Sequence, residues 1–515
     1  MKKFRFFRSI PDPVVISIAV LSVVLHLLIA NNLEYHRDEL LYFTLGQHPA
    51  TGYASVPPLI GWISWLIQTL LGNSVFAVRL FPALLGGALI IMTAAISREL
   101  GGSRYASFLA SLGVLISIFF LRTYFLFHPV HIDIFLWTLC IFLIIKYINT
   151  SEDHYLLFLG IAAGISLLNK YLAGLLFFGL IVFIPFTRYR DVFRKRMFYM
   201  GIAACFLIFL PNLIWQISKG FPVFNHLDEL YSTQLVFMSF PLFLTEQIIM
   251  SSAASFLTIS GLLYLVTSKE SQKFRLLGFI VIFVIIVLML LKGKSYYTLG
   301  VFPLLIAAGA VSYENWIRRI WLRILFPVFL VILTIPIVPF GIPVYKSIGL
   351  KKYFNVLGEK YGIDLGRRFE DGSIHSLPQD YADMLGWEEL TEITAKAWQM
   401  IKDKNAAFIY GENYGQASAI TVIGKKYGLP DAISFSESYR YWIPIQFDPD
   451  ITSVVYINGE LGKDINSFFR KITIVGSISN PDAREYGTTV YLCEDPVASF
   501  NEFWKRRLEE LKLGK

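Results

Sequence analysis

The sequence predicts a polytopic α-helical membrane protein with a soluble α/β domain at its C-terminal end. Three observations predict it. Of 515 residues, 55% are hydrophobic and only 16% are charged, where a soluble domain carries about 25% charged residues. Apolar runs long enough to cross a hydrocarbon layer of about 30 Å recur almost without pause as far as Phe340. Beyond Phe340 charged residues return every few positions and no run qualifies. The charge balance changes at the same point, from 25 Lys and Arg against 14 Asp and Glu up to Phe340 to 21 against 24 after it. The boundary therefore falls at 340, with a transmembrane module over 1–340 that includes an outer loop over 31–77, and a soluble domain over 341–515.

Eleven spans are expected, at about 13–31, 78–97, 105–121, 131–148, 155–169, 171–187, 198–216, 241–267, 275–291, 297–314 and 322–340. The basic Met1–Arg8 segment before the first run is reminiscent of a signal peptide, but no small-residue cleavage site follows, so the run counts as a span. The stretch Leu59–Leu71 is too short to cross comfortably and reads as interfacial, with Trp62 and Trp65 three residues apart. Cys140, Cys205 and Cys493 stand far apart, which supports neither a disulfide framework nor a zinc ribbon.

Positively charged loops concentrate on the cytoplasmic side of membrane proteins. With a cytoplasmic N-terminus, that side holds 18 of the 25 basic residues of the first 340. Seven remain on the opposite face: Arg37, Arg79, Arg122, Lys170, Lys219, Lys292 and Lys294. An anionic ligand on the outer face accounts for them; for each, a cation snorkelling to the interface is the plain structural alternative. Eleven spans place the C-terminal domain outside as well, in a multi-pass protein of the cell membrane. That domain has strand candidates at 407–410, 453–457, 472–475 and 489–492, and helical stretches at 387–401 and 500–513. The alternation predicts a small, mostly parallel sheet. Its slightly acidic balance excludes a nucleic-acid partner.

The first outer loop carries the densest chemistry. Asp38 and Glu39 stand side by side just beyond a span, followed by Gly52-Tyr53 and Val56-Pro57-Pro58-Leu59. A carboxylate beside a low-dielectric boundary needs a partner or a task, helix capping being the structural option. Asp133 opens another span within Phe127-His128-Pro129-Val130-His131-Ile132-Asp133, where it can be a helix cap or a functional acid. His128 and His131 can share a helical face, yet two imidazoles do not make a metal site.

These motifs, with Val78-Arg79-Leu80-Phe81-Pro82-Ala83 and Arg98-Glu99-Leu100-Gly101-Gly102, resemble the dolichyl-phosphate-mannose-protein mannosyltransferases and their bacterial relatives, the lipid A aminoarabinose transferases included, in the GT-C superfamily. Asn169-Lys170-Tyr171, Pro211–Trp215, Lys292–Tyr297 and Asn413-Tyr414-Gly415-Gln416 resemble the bacterial branch. The resemblance implies a GT-C fold and an inverting transfer of a monosaccharide from a polyprenyl (undecaprenyl-type) phosphate to an envelope lipid, glycan or protein. It implies Asp38 as general base, with Glu39 in a supporting role and Asp133 as a second acid of interest. The leaving phosphate then falls to Arg122, Lys292, Lys294 and Lys170 with Tyr296 and Tyr297, because cations aimed at a developing charge favour the transition state. Arg37, Tyr53, Pro57, His131 and Gln247 are expected to line the substrate cavity, Arg37 alternatively orienting Asp38. No cofactor is firmly implied, and a divalent metal stays open as an alternative. The aminoarabinose branch has an acid and a lysine before the loop proline, whereas Ala54-Ser55-Val56 precedes Pro57 here, which weakens a carried-over zinc site. A transporter or flippase of lipid-linked anionic precursors is the alternative class; against it stand the absence of repeat symmetry and the gathering of acids and bases at one face.

Overall fold

A computed structural model of the chain describes residues 12–511 apart from 365, 370 and 371. The basic Met1–Arg8 segment and the last two residues of the helix expected over 500–513 lie outside the described residues. Each of the eleven apolar runs is helical, but they do not make eleven full spans. Among the described residues, seven helices are long and apolar enough to cross a membrane: Val75–Glu99, Pro129–Thr150, Arg196–Ser218, Phe240–Thr267, Gln272–Leu290, Ser295–Trp316 and Ile320–Phe340. Arg104–Leu115 and Ile118–Phe125 make an eighth if counted together across their 64° bend. The other three, Pro13–Leu28, His154–Asn169 and Tyr171–Phe186, are short; a 16-residue helix rises about 24 Å. Among the described residues, length and apolarity thus support seven or eight of the eleven expected spans. The break expected between 155–169 and 171–187 is present at Lys170, whose backbone is extended (φ −158°, ψ 127°).

The described chain forms two compact units: residues 12–30 with 56–60 and 79–344, and residues 31–55 and 61–78 with the described part of 345–511. Most of the outer loop, 31–55 and 61–77, thus clusters with the C-terminal region, while 56–60 clusters with the spans.

In the first unit, Pro129–Thr150 and Ser295–Trp316 are the most enclosed spans, 78% and 83% buried along their apolar windows. Residues at their starts are therefore shielded from lipid by neighbouring helices. At the far end of Pro129–Thr150, Lys146 pairs with Glu99 at 3.0 Å, and Asn149 donates to the Glu99 backbone carbonyl at 2.9 Å. Glu314 closes the N-terminus of Arg104–Leu115, where its carboxylate accepts from the amides of Ser103 (2.7 Å) and Ala106 (3.2 Å) and from the Ser103 hydroxyl. Four amides at a helix start lack intrahelical partners, so one carboxylate can satisfy several donors at once.

The second unit holds a four-stranded sheet in the order β1 (Ala407–Gly411), β2 (Ser453–Asn458), β4 (Thr489–Pro496), β3 (Phe469–Ser477). Only β1 and β2 run parallel; β4 is antiparallel to both of its neighbours. The expected mostly parallel sheet is therefore a mixed one. A parallel pair needs a long crossover, which the chain between β1 and β2 supplies with helix Tyr414–Ile423, whereas eleven residues from β3 to β4 suffice only for an antiparallel return. Phe408, Tyr410, Phe468, Phe500 and Trp504 fill the core on one side of the sheet.

Glu314→Ala leaves the donors of Ser103 and Ala106 without their acceptor, and is expected to lower stability in detergent by about 1–3 kcal/mol. A thermal unfolding midpoint equal to that of the parent protein would contradict the capping role.

Candidate functional site

In the second unit, the acid pair opens helix Arg37–Gln47. His36 precedes the helix and accepts from the Asp38 amide through Nδ1 at 3.1 Å, while Glu39 Oε2 accepts from the His36 amide at 2.9 Å. This reciprocal capping box occupies Glu39, which is 1% exposed, in local structure. Glu39 was expected in a supporting role beside Asp38, holding local structure or an acceptor; here it fixes the helix start.

The loop before that helix is fastened to residues 383–388 by backbone and carboxylate together. The Glu34 and Arg37 amides donate to the carbonyls of Met384 (3.2 Å) and Asp383 (3.0 Å). The Glu34 carboxylate in turn accepts from the amides of Trp387 (2.8 Å), Glu388 (3.0 Å) and Gly386 (3.4 Å) at the start of helix Trp387–Met400. Burial raises the Glu34 pKa even against these bonds. Asp383 is held by Arg484 at 3.1 Å and by His36 at 3.9 Å; burial raises its pKa despite the pull of His36, Arg484 and Arg37.

Asp38 itself meets Tyr414, whose hydroxyl donates to Asp38 Oδ1 at 2.9 Å. Burial, then the Asp38 charge, pushes the Tyr414 phenol well above its ordinary pKa, so it remains a donor. Arg37 lies over the ring of Tyr414, 4.2 Å from its centroid. From the sequence, the Asn413–Ala417 turn reads as an anion-holding helix start, a loop contributed to the acceptor side or plain structural packing, and Glu34, Asp383 and Arg484 do not stand out.

Tyr53 was expected in the substrate cavity. It is 1% exposed, and its hydroxyl donates toward the carbonyls of Leu45 (3.0 Å) and His48 (3.2 Å) and accepts from the Ala50 amide (3.2 Å). Burial pushes its phenol up to about 12. Tyr53 is thus the internal tie of the 45–53 turn. Pro57, in the first unit, is likewise buried.

A second cluster lies within the first unit. Asp133, 4% exposed, accepts from Trp137 Nε1 at 3.1 Å. The Trp137 ring lies against Gly300, where a Cβ would come within 2.6 Å of it, so the spans starting at 129 and 295 approach closely only with glycine there. The Lys170 ammonium sits 4.3 Å from the ring centroid of Tyr297 and 5.3 Å from that of Tyr296, and Lys294 lies 5.9 Å from the latter. Asp133 and Lys294 both act electrostatically on Lys170. Asn169 donates to the Pro129 carbonyl at 2.9 Å, which ties the Lys170 turn to the start of the Asp133 helix. Gln247 braces the same region, accepting from Thr298 Oγ1 at 2.6 Å and donating to the Ser295 carbonyl at 3.4 Å. The structure therefore gathers Asp133, Lys170, Lys294, Tyr296 and Tyr297.

The remaining candidates separate from it by task. Lys292 adopts φ +54° in the turn that ends helix Arg275–Leu290 and leads into Lys294. Arg122 lies 5.9 Å over the Phe119 ring. Arg79, 1% exposed, donates to the Ala30 carbonyl and stacks 4.4 Å over Phe125, a structural arginine. His128 and His131 form a capping box at the start of Pro129–Thr150, and His131 is 0% exposed among Phe81, Tyr124 and Phe127. Among the described residues, no three His, Cys, Asp or Glu side chains come together as metal ligands.

Tyr53→Phe removes the hydroxyl that ties the 45–53 turn. The expected result is a stability loss of about 1–3 kcal/mol, read as a lower thermal unfolding midpoint. A midpoint equal to that of the parent protein would contradict the tie.

Residues 55–215 match the family described as dolichyl-phosphate-mannose-protein mannosyltransferase. That segment contains Asp133 and Lys170 and begins after Asp38. Lipid A galacturonosyltransferase RgtD of Rhizobium johnstonii is 25% identical over 209 residues, which are 38% of this chain and 41% of that relative. In architecture the chain is similar to ArnT from Cupriavidus metallidurans bound to undecaprenyl phosphate, with a TM-score of 0.63 at 13% identity over 93% of this chain and 97% of that one. The apo state of the same protein gives a TM-score of 0.60 over the same shares. The matched segment is thus similar to the dolichyl-phosphate-mannose-protein mannosyltransferase family, and the chain as a whole is built like ArnT.

Proposed function

We propose that the chain transfers a monosaccharide from a polyprenyl-phosphate carrier to an acceptor of the cell envelope, with inversion at the anomeric carbon. The acceptor oxygen forms the new bond to that carbon, the carbon–oxygen bond to phosphate breaks on the opposite side, and polyprenyl phosphate leaves with the bonding pair. A hydroxyl is a poor nucleophile until its proton is taken, and a positioned carboxylate contributes about 10²–10⁴-fold by taking it in the transition state. Asp38 is the group for that task. The observation that carries the reading is the Asp38 carboxylate itself: half-buried, set at a helix start and oriented by Tyr414 at 2.9 Å. Glu39, its neighbour, is committed to the capping box and is not available as a second base.

The leaving phosphate gains charge as its bond breaks, so cations held in a water-poor site stabilise the transition state more than the ground state. Lys170 and Lys294, flanking Tyr296, are the residues for this, with Arg122 and Lys292 as further cations on the same unit. ArnT of the same fold binds undecaprenyl phosphate, which supports the same class of carrier here. The acid loop and the C-terminal region face the outside of the membrane in this reading, and the N-terminus faces the cytoplasm.

Mass spectrometry of envelope lipids, glycans and glycoproteins from a deletion strain identifies the missing sugar linkage and so the assay. In that assay Asp38→Asn is expected to lower transfer at least 10²-fold while undecaprenyl phosphate still binds and the thermal midpoint is kept; retained turnover would overturn the base assignment. Lys294→Ala and Arg122→Ala are expected to weaken undecaprenyl phosphate binding about tenfold each, the scale of one charged hydrogen bond. Unchanged affinity would remove either residue from the phosphate site.

A further inference from the structure

Four residues joined in sequence, Asn413-Tyr414-Gly415-Gln416, meet the Arg37–Asp38 pair within the second unit, and each has a separate task. Asn413 accepts from the amides of Gly415 (2.9 Å) and Gln416 (3.1 Å), which closes the N-terminus of helix Tyr414–Ile423. Gln416 reaches back to the amide of Glu412 at 3.0 Å and donates to Glu485 at 2.8 Å; Asn413 donates to the other oxygen of Glu485 at 3.1 Å. The turn is thus clamped from both sides, and Tyr414 projects from a fixed backbone to Asp38. Gly415 provides the space: a Cβ there would come within 2.8 Å of Arg37 Nε and 2.9 Å of its Cγ. Arg37 is held between the Tyr414 ring and the Gly415 backbone, and its buried Nε has no hydrogen-bond partner among the described residues.

We infer that Tyr414 is a positioning residue for Asp38, and that the Asn413–Gln416 turn is a cradle that holds the Arg37–Asp38 pair in the geometry for proton transfer. The inference rests on Asp38 being the general base. A hydrogen bond donated to an ionised carboxylate fixes its rotamer and favours the charged, proton-accepting form. The same bond leaves the carboxylate able to receive the acceptor's proton, because the Tyr414 phenol does not itself ionise near neutral pH. The charged and titratable groups around the Arg37–Asp38–Tyr414 cluster are His36 and Glu39 on the Asp38 segment, Asp383, which acts on Asp38 itself, Glu437 beside Tyr414, Glu485 beside Arg37 and Arg484 beside Asp383. Tyr414 donates directly to the Asp38 carboxylate at 2.9 Å.

The test uses the full chain in proteoliposomes, the polyprenyl-phosphate-sugar fraction of the source envelope as donor, and undecaprenyl phosphate as binding probe. Tyr414→Phe keeps the ring under Arg37 and removes only the donor. The expected result is a fall in kcat of about tenfold, donor KM within about twofold, and a rise of about one pH unit in the acid limb of the kcat profile, since the carboxylate loses a bond that favours its ionised form. In an Asp38→Asn background the same change is expected to have no further effect on residual transfer, whereas a merely structural tyrosine would reduce it again. Gly415→Ala, which displaces Arg37 without touching the phenol, is expected to lower kcat with undecaprenyl phosphate binding intact. If Asp38→Asn is inactive but Tyr414→Phe keeps the parental rate and pH profile, the positioning role is overturned and the base reading stands. If Asp38→Asn retains turnover, the base reading falls, and this inference with it. Should Tyr414→Phe fail to fold, a folded Gly415→Ala with the parental kcat would overturn the cradle.

Discussion

The arrangement of the acid loop depends on one carboxylate. Glu34 lies three residues before helix Arg37–Gln47 and closes the start of helix Trp387–Met400, 353 positions away in sequence, by accepting from the Trp387 amide and its neighbours. Two backbone bonds from Glu34 and Arg37 to Met384 and Asp383 flank it and set the register. A helix N-terminus presents unpaired donors and a positive end of the helix dipole, so an acid placed there satisfies several groups at once and is held tightly. Once this contact is made, His36 reaches Asp383, Glu39 closes its own helix, and Asp38 is carried to Tyr414. This is why a loop bracketed by spans forms one compact unit with the C-terminal region.

The first unit solves a different problem, which is to keep charge among apolar helices. Its two most enclosed spans begin next to Asp133 and Lys294, and the turn at Asn169–Lys170 is bonded to the start of the first of them. Tyrosine rings cover the lysines, a favourable surface for a cation that still leaves ammonium protons for an anion. Trp137 fixes Asp133 and is seated on Gly300. The seven basic residues that positional bias left on one face thus divide. Lys170 and Lys294 join this cluster, Arg79 braces the fold through Ala30 and Phe125, and Arg37 belongs to the acid loop.

What the sequence made legible was whatever is written in local pattern. All eleven apolar runs are helices, and the four strand candidates and two long helices of the C-terminal region lie where alternation and periodicity put them. Span length was not fully legible, because hydropathy does not mark where a helix bends: the 64° bend after Leu115 interrupts an apolar stretch that read as whole. Strand direction also escaped, since β4 inserts between β2 and β3 and turns a parallel expectation into a mixed sheet. At the acid pair, adjacency singles out Asp38 and Glu39 together, but not that the Glu39 carboxylate accepts from the His36 amide. Tyr414 lies 376 positions from Asp38. Its motif was visible as a pattern, but no local rule connects a tyrosine at a helix start to an acid at the other end of the chain.

The division of labour follows from these contacts. The first unit gathers cations and phenols beside Asp133, and the second unit holds an oriented carboxylate. In the proposed transferase the C-terminal region belongs to the catalytic apparatus, because its contacts fix the acid loop. Hydrogen–deuterium exchange of the Glu34→Ala protein tests this most directly. The account predicts faster exchange both at 386–388, where the acceptor is lost, and across 34–40, where Asp38 sits. Acceleration confined to 386–388, with 34–40 as protected as in the parent protein, would contradict it.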